Sequence, residues 1–160
     1  MYRLLLFLSA LYFISCQTNN LFEKRATIPN MKWERSVPVN GSIQISDTSA
    51  LCNMYVCLRH TDAYAYNNIW LHIEVIGAQD TVFSERREII LGTDALGWEG
   101  TGMNDIWDMQ KKINTTPVKF KKSGNYHFII IQEMRDNPLQ GMMSAGIRIE
   151  KLSSGQNMLK

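Results

Sequence analysis

The first residue able to carry chemistry is Cys16, which follows a run typical of a secretory signal peptide. Residues 1–3 are short and positively charged, and residues 4–14 are apolar except for one serine. This run of eleven residues is too short to span a bilayer, which takes roughly 20 apolar residues. Ser15 supplies the small residue that must precede an acylated cysteine. The sequence therefore predicts a bacterial lipobox, with residues 1–15 as the signal peptide.

Lipidation at Cys16 would tether the mature chain to a membrane. The thiol would become a diacylglycerol thioether and the new amino group an amide of a fatty acid such as palmitate. Two or more acyl chains hold a protein stably on a bilayer where one chain does not. The alternatives are ordinary signal cleavage, which Phe13 disfavours, and a retained signal anchor. Residues 16–24 are expected to form the lipidated tether.

Residues suited to catalysis or metal binding are sparse in the rest of the chain. The three histidines, His60, His72 and His127, are not at metal-ligand spacing. His72 and His127 lie within predicted strands, where a hydrogen-bonded structural histidine is favoured over a ligand. The sequence contains no nucleophile-elbow motif and no phosphate-binding glycine loop. The residues therefore favour a chain with no enzymatic activity and no metal site.

Polar and aromatic residues concentrate where a predicted strand ends and a turn begins. Tyrosine and arginine are enriched at binding hot spots, and connecting loops often carry function. The predicted partner surface also includes a tryptophan from the glycine-rich segment 92–102. Its members are Arg59, His60, Asp62, Tyr64, Tyr66 and Trp98. A structural interpretation is weighed equally, in which Arg59 pairs with Asp62 and a tyrosine caps the edge of the fold.

The tryptophans raise a second function, that of a lipid-anchored carbohydrate-binding module. Sugars stack on exposed aromatic rings, so the candidates are Trp33, Trp70, Trp98 and Trp107. Packing in the core or in loops is the favoured role for each of them. An exposed row of coplanar rings would distinguish the sugar-binding function from the protein-binding one.

The elements that must position these residues are short strands. Alternation of apolar and polar residues or β-rich composition predicts eight strands, at Ser42–Ile45, Met54–His60, Ile69–Ile76, Thr81–Leu91, Met103–Ile113, Val118–Phe120, Tyr126–Met134 and Ser144–Leu152. The pattern at Met103–Ile113 also fits one face of a helix, and a strand is favoured there because the neighbouring elements are strands. Residues 126–134 are so continuously apolar that we expect a central strand covered on both faces. The predicted fold is all-β, a two-sheet antiparallel β-sandwich of jelly-roll or immunoglobulin-like type.

Cys52 and Cys57 are predicted to remain free thiols. Five residues of strand at about 3.3 Å per residue separate them by more than the roughly 7 Å that a disulfide allows between Cα atoms. Their odd spacing also points the two side chains to opposite faces of a strand.

Length and composition indicate one globular domain. The chain has 160 residues, 45% hydrophobic and 20% charged, with a formal net charge of +2. Removing residues 1–15 removes one arginine and leaves +1, which argues against a nucleic-acid partner. We assign residues 25–153 to the β-sandwich domain and residues 154–160 to a polar tail.

Several short motifs, in order along nearly the whole chain, resemble one family. They are Trp33, residues 43–47, 58–61, Tyr64, 66–68, 91–92, 96–100, 105–107, 124–126, 132–135 and 139–141. Together with the lipobox, they are similar to the gliding-motility lipoprotein GldH family of Bacteroidota.

This resemblance implies an outer-membrane lipoprotein needed for gliding and for type IX secretion of surface adhesins. It implies no enzymatic activity and no cofactor, and it implies partners among the envelope proteins of that machinery. The lack of acidic residues directly after Cys16 is typical of lipoproteins that face the periplasm.

Overall fold

The computed structural model describes residues 20–152, which form antiparallel strands with one short 3₁₀ turn at Pro29–Met31. The strands are β1 (Asn20–Thr27), β2 (Lys32–Trp33), β3 (Val39–Ile45), β4 (Cys52–Thr61), β5 (Asn68–Gly77), β6 (Thr81–Ile90), β7 (Gly92–Thr93), β8 (Gly97–Trp98), β9 (Thr101–Met103), β10 (Ile106–Lys112), β11 (Gly124–Gln132), β12 (Leu139–Gln140) and β13 (Met142–Lys151). The all-β prediction is confirmed.

Two large sheets form the sandwich. The five-stranded sheet has the order β1-β13-β4-β10-β9, and the four-stranded sheet has the order β3-β11-β5-β6. Two small ribbons, β2 with β12 and β7 with β8, connect the ends of the large sheets. Seven of the eight predicted strands overlap observed ones. The exception is Val118–Phe120, where the described structure has only an isolated bridge from Val118 to Cys52.

Alternating apolar side chains of both sheets make the core. On β5, Ile69, Leu71, Ile73 and Val75 are fully buried, as the alternation predicts. From the other sheet, β4 contributes Met54, Val56 and Leu58, and β13 contributes Ala145, Ile147 and Ile149. The core is therefore the layer between the two sheets.

The prediction that β11 is covered on both faces is wrong. Phe128 and Ile130 face the core and are fully buried, whereas His127 is exposed and Ile129 is half-buried. The strand is central in its sheet, between β3 and β5, but among residues 20–152 no second layer covers the outer face of that sheet. The continuous apolar run thus reflects one buried face and one partly exposed face.

Both cysteines of β4 are free and buried, which confirms the prediction for Cys52 and Cys57. Cys52 points into the core, and Cys57 lies on the opposite face of the strand. Burial raises the pKa of the Cys57 thiol to about 11, so this thiol is protonated and unreactive at neutral pH.

The first strand begins earlier than the sequence indicates. β1 starts at Asn20 and pairs with β13 along its length, so residues 20–24, which we assign to the tether from sequence, belong to the sheet. The signal peptide, Cys16 and the polar tail at 154–160 lie outside the described residues.

The strand registers give the sandwich two distinct ends. Asn20 of β1 lies opposite Glu150 of β13, and Lys151 lies opposite Cys52 of β4, so these residues share the end that we call proximal. The loops at the proximal end are 46–51, 78–80 and 113–123. The other end, which we call distal, carries the segments 28–38, 62–67, 91–105 and 133–141.

Candidate functional site

The predicted partner surface begins where β4 ends at the distal end of the sandwich. Neighbouring residues on a strand point to opposite faces, so Arg59 and His60 diverge. His60 points inward and is fully buried, while Arg59 lies on the outer face of the five-stranded sheet. The structure therefore separates residues that the sequence groups together.

An aromatic cluster closes the distal end of the core. The ring of Trp98 packs edge-on against His60 with centroids 4.6 Å apart, and Tyr64 lies 5.7 Å from His60. Tyr66 extends the cluster, 5.9 Å from Tyr64. His60 is fully buried and Tyr64 is 3% exposed, so neither side chain is accessible to another protein when the chain is folded. Burial of His60 and Tyr64 favours the alternative of a structural cap over the predicted partner role for these two residues.

Burial also determines the protonation of this cluster. Desolvation lowers the pKa of His60 below its ordinary value of 6.5, and its Nδ1 lies 2.8 Å from the carbonyl oxygen of Thr61. The other ring nitrogen, Nε2, is buried with no hydrogen-bond partner among the described residues. The Tyr64 hydroxyl donates to the carbonyl of Asn68 at 2.9 Å, and burial raises its pKa. Both side chains are therefore neutral at pH 7.

Arg59 does not pair with Asp62, as the structural alternative expected, but with Asp108 of the neighbouring strand β10. The Arg59 Nη2 atom lies 2.7 Å from Asp108 Oδ2, and Arg25 Nη1 lies 2.8 Å from the same atom. Burial raises the pKa of Asp108, but hydrogen bonds from Arg25 and Arg59 outweigh it and hold the pKa below its ordinary value. This triad joins β1, β4 and β10 on the outer face, so Arg59 has a structural partner.

Four of the predicted surface residues remain accessible, namely Arg59, Asp62, Tyr66 and Trp98. Asp62 is exposed, and its backbone N–H donates to the backbone carbonyl of Asp105 at 2.9 Å. The Tyr66 hydroxyl donates to Asp136 Oδ2 at 2.6 Å and thereby joins the turn to the segment before β12. Trp98 is half-buried over His60. Asp62 and the Tyr66 hydroxyl are the polar groups of this part of the distal end.

Exposed apolar side chains at the same end were missed by the sequence reasoning. Of the six large hydrophobic residues exposed in the described structure, only Leu51 lies at the proximal end, and the other five are Met31, Val37, Ile90, Leu96 and Met103. Leu96 is 86% exposed and Met103 is 74% exposed. Leu96 occurs within the glycine-rich segment that contains Trp98, and Met103 is the first residue of the predicted strand Met103–Ile113; the structure forms β7, β8 and β9 across residues 92–103.

Three of these side chains lie near the same lateral edge of the sandwich. Ile90 ends β6, Leu96 lies in the β7–β8 turn, and Met103 ends β9. β6 and β9 are edge strands of different sheets, and they are on the side opposite the edges β1 and β3, which contact each other. By strand register, Ile90 is on the outer face of the four-stranded sheet and Met103 is on the outer face of the five-stranded sheet, with Leu96 in the turn between them. We call these three exposed side chains the distal apolar set.

The tryptophans are engaged in packing within the chain. Trp33 is buried, and its Nε1 donates to the carbonyl of Val37 at 3.1 Å. The guanidinium of Arg86 covers one face of Trp70, 3.9 Å from the ring centroid. Trp107 packs over Gly102, where an added Cβ would come within 2.8 Å of its ring. The favoured packing role of the tryptophans is thus supported.

The other histidines have structural partners. His72 Nε2 lies 3.0 Å from Glu74, and His127 Nδ1 lies 3.3 Å from the Ser42 hydroxyl. Among residues 20–152, no group of three or more histidine, cysteine or acidic side chains is placed to hold a metal ion. The same residues include no helix of the length and apolarity needed to cross a membrane.

Comparison with known proteins identifies the family. A relative from Christiangramia forsetii, described as "Gliding motility lipoprotein GldH homolog", is 28% identical over 146 residues, covering 87% of this chain and 88% of the relative. "Gliding motility lipoprotein GldH" of Flavobacterium johnsoniae is 25% identical over 154 residues, covering 92% and 94%.

Among solved structures, the infectious bursal disease virus VP2 subviral particle gives a TM-score of 0.35 at 13% identity, covering 84% of this chain and 33% of that chain. That likeness is too slight to indicate a relationship. The sequence model of the family described as GldH lipoprotein matches residues 20–149, nearly all of the described structure. The chain belongs to the GldH lipoprotein family.

Proposed function

We propose that this gliding-motility lipoprotein is a non-enzymatic accessory component of the gliding and type IX secretion apparatus in the outer membrane, acting through protein–protein contacts. The names of its relatives support the role in gliding motility and the attachment to the cell envelope. Contact with other proteins is supported by the exposed apolar side chains at the distal end.

Lipidation at Cys16 is part of the proposal. The family name and the lipobox at residues 13–16 support a diacylglycerol thioether there, with a fatty acid such as palmitate on the new amino group. The chain would then sit on the periplasmic face of the outer membrane, because no acidic residues directly follow Cys16.

The observation that carries the partner role is the position of the distal apolar set. β1 begins at the proximal end, so the chain leaves for Cys16 there, while Ile90, Leu96 and Met103 lie at the opposite end. A domain anchored through Cys16 would therefore present these side chains away from its own membrane. Apolar and aromatic residues within a polar surround, supplied here by Asp62 and the Tyr66 hydroxyl, are typical of protein interfaces.

The test is the double variant Leu96→Ser with Met103→Ser, produced in a gliding host that lacks its own relative. Because both side chains are mostly exposed, we expect the thermal midpoint to change by less than about 3 °C. We expect cell spreading and adhesin secretion to be lost. Leu51→Ser, at the proximal end and 38% exposed, is the matched control and should retain both activities.

Normal spreading and secretion in the double variant would contradict the partner role of this surface. A melting temperature lowered by many degrees would instead show that Leu96 or Met103 stabilises the fold, and this would also contradict the assignment of these side chains to partner binding.

The carbohydrate-binding alternative has less support. Trp33 is buried, one face of Trp70 is covered by Arg86, and Trp98 packs on His60. Stacking with sugars needs open ring faces, and these rings are used within the chain. We therefore do not advance it as a second function.

A further inference from the structure

A group of lysines lies at the end of β10 and in the segment that leads to β11, and one of them, Lys122, donates a hydrogen bond to the side chain of Gln79. Residues 111–122 contain five lysines and no acidic residue. Lys111 forms an ion pair with Glu99. The other four, Lys112, Lys119, Lys121 and Lys122, are exposed, and none of them is in an ion pair within residues 20–152. We call these four residues the lysine group.

The lysine group lies at the proximal end. Val118, in the middle of the loop, exchanges backbone hydrogen bonds of 2.8 and 2.9 Å with Cys52, the first residue of β4. Cys52 lies opposite Lys151 of β13, whose neighbour Glu150 lies opposite Asn20. The lysines therefore occupy the end of the sandwich from which the chain continues toward Cys16.

The acidic side chains at this end leave the positive charge largely uncompensated. Asp47 is paired with Lys151 at 2.8 Å, and hydrogen bonds from Lys151 and Ser49 lower its pKa. Asp80 lies in the β5–β6 turn, where its backbone carbonyl accepts from Gly77 at 2.7 Å. The four exposed lysines are thus balanced only by the carboxylate of Asp80, which is in no ion pair within the described residues. The proximal end is therefore basic, although the whole chain is nearly neutral.

The tether is short enough to bring this end to a membrane surface. Four peptide units separate Cys16 from Asn20, which at full extension span at most about 14 Å. Electrostatic attraction between exposed charges and a membrane extends over a Debye length of about 8 to 10 Å. A domain acylated at Cys16 would therefore keep the lysine group within reach of lipid headgroups.

We propose that the lysine group binds the phosphates of anionic phospholipid headgroups in the membrane that holds the anchor, which rests on the lipidation proposed above. Two features argue for a lipid surface as the occupant: the positive charge and the exit of the chain toward Cys16 at the same end. An acyl anchor alone leaves a domain free to tilt. A second contact orients the sandwich so that the distal apolar set points away from the bilayer.

The test measures binding of unacylated protein to vesicles by sedimentation. The protein is the chain from residue 16 to 160 with Cys16→Ser, which retains every described residue. We expect it to sediment with vesicles rich in phosphatidylglycerol at low salt and not with phosphatidylcholine vesicles. Lys119→Gln with Lys121→Gln should lower the partition coefficient roughly tenfold or more, since each lysine near an anionic surface contributes severalfold.

The matched control is Lys32→Gln with Arg135→Gln, which removes the same charge from the distal end. Lys32 and Arg135 are exposed and are in no ion pair within the described residues. This control should change the partition coefficient less than twofold. Unchanged thermal midpoints in both double variants would show that the fold is retained.

Equal losses in the two double variants would overturn the proposal, because net charge alone would then explain binding. Equal sedimentation with neutral vesicles, or none with anionic ones, would also overturn it. Since this protein has no acyl chain, the result is independent of the proposed anchor. If the wild-type protein incorporated no radiolabelled fatty acid in cells, the anchor would be refuted while the vesicle result would stand, so the two failures are distinguishable.

Discussion

Truncating Ile130 to alanine should destabilise the domain far more than truncating its neighbour Ile129. Ile130 is fully buried on β11, directly opposite Ile73 of β5 and Val39 of β3. The substitution removes three buried carbon atoms at about 0.8 kcal/mol each, and the cavity adds to this, so we expect about 3–4 kcal/mol. Ile129, on the outer face, should lose about 1 kcal/mol or less because it is only half-buried.

Urea titration followed by tryptophan fluorescence measures both variants, with the slope of the transition checking that unfolding remains two-state. Ile130→Val should cost about 0.5–1.5 kcal/mol, which gives the series a graded internal control. A loss below about 0.5 kcal/mol for Ile130→Ala, or equal losses at Ile129 and Ile130, would refute the assignment of faces on β11.

Three further predictions test the anchor, the sheet and the cap. Cys16→Ser should abolish incorporation of radiolabelled fatty acid and release a soluble domain, whereas persistent labelling would exclude this lipidation site. Gly146→Ala should cost about 1–3 kcal/mol by urea titration, because its Cβ would lie 2.6 Å from the Arg25 Cα and contact the Lys24 carbonyl; an unchanged midpoint would contradict this close approach of β1 and β13. Since burial lowers the pKa of His60, the unfolded chain binds a proton more readily, and stability should fall as pH drops below about 6.5. His60→Phe should flatten that decline between about pH 7 and 5, and an unaltered decline would show that His60 does not cause it.

The sequence predicted the features that depend on local patterns. Alternation at residues 69–76 predicted both the strand and its buried face, and the spacing of Cys52 and Cys57 predicted two free thiols. These predictions hold because the side-chain period of a strand is an intrinsic property of extended backbone. The family was also recognisable from short motifs along the chain, since their order does not depend on the fold.

Local patterns gave wrong predictions of side-chain burial where that burial depends on a neighbouring layer of the structure. The apolar run at residues 126–134 predicted cover on both faces, but nothing in those residues reports whether a second layer packs outside the sheet. His60 and Tyr64 looked like surface residues because they flank a polar turn. Trp98, more than thirty residues later, packs against both rings and closes the end of the core over them.

The composition and the two-residue alternation of apolar and polar side chains therefore determined an all-β chain, its main strands and the inward face of most of those strands. Only the tertiary structure decided which distant residues meet. It placed Asp108 between Arg25 and Arg59, 83 and 49 residues away in the chain, and it gathered the lysine group at the end where β1 begins. The physical reason is that strand order and register are set by the packing of the whole core, which no local stretch of sequence contains.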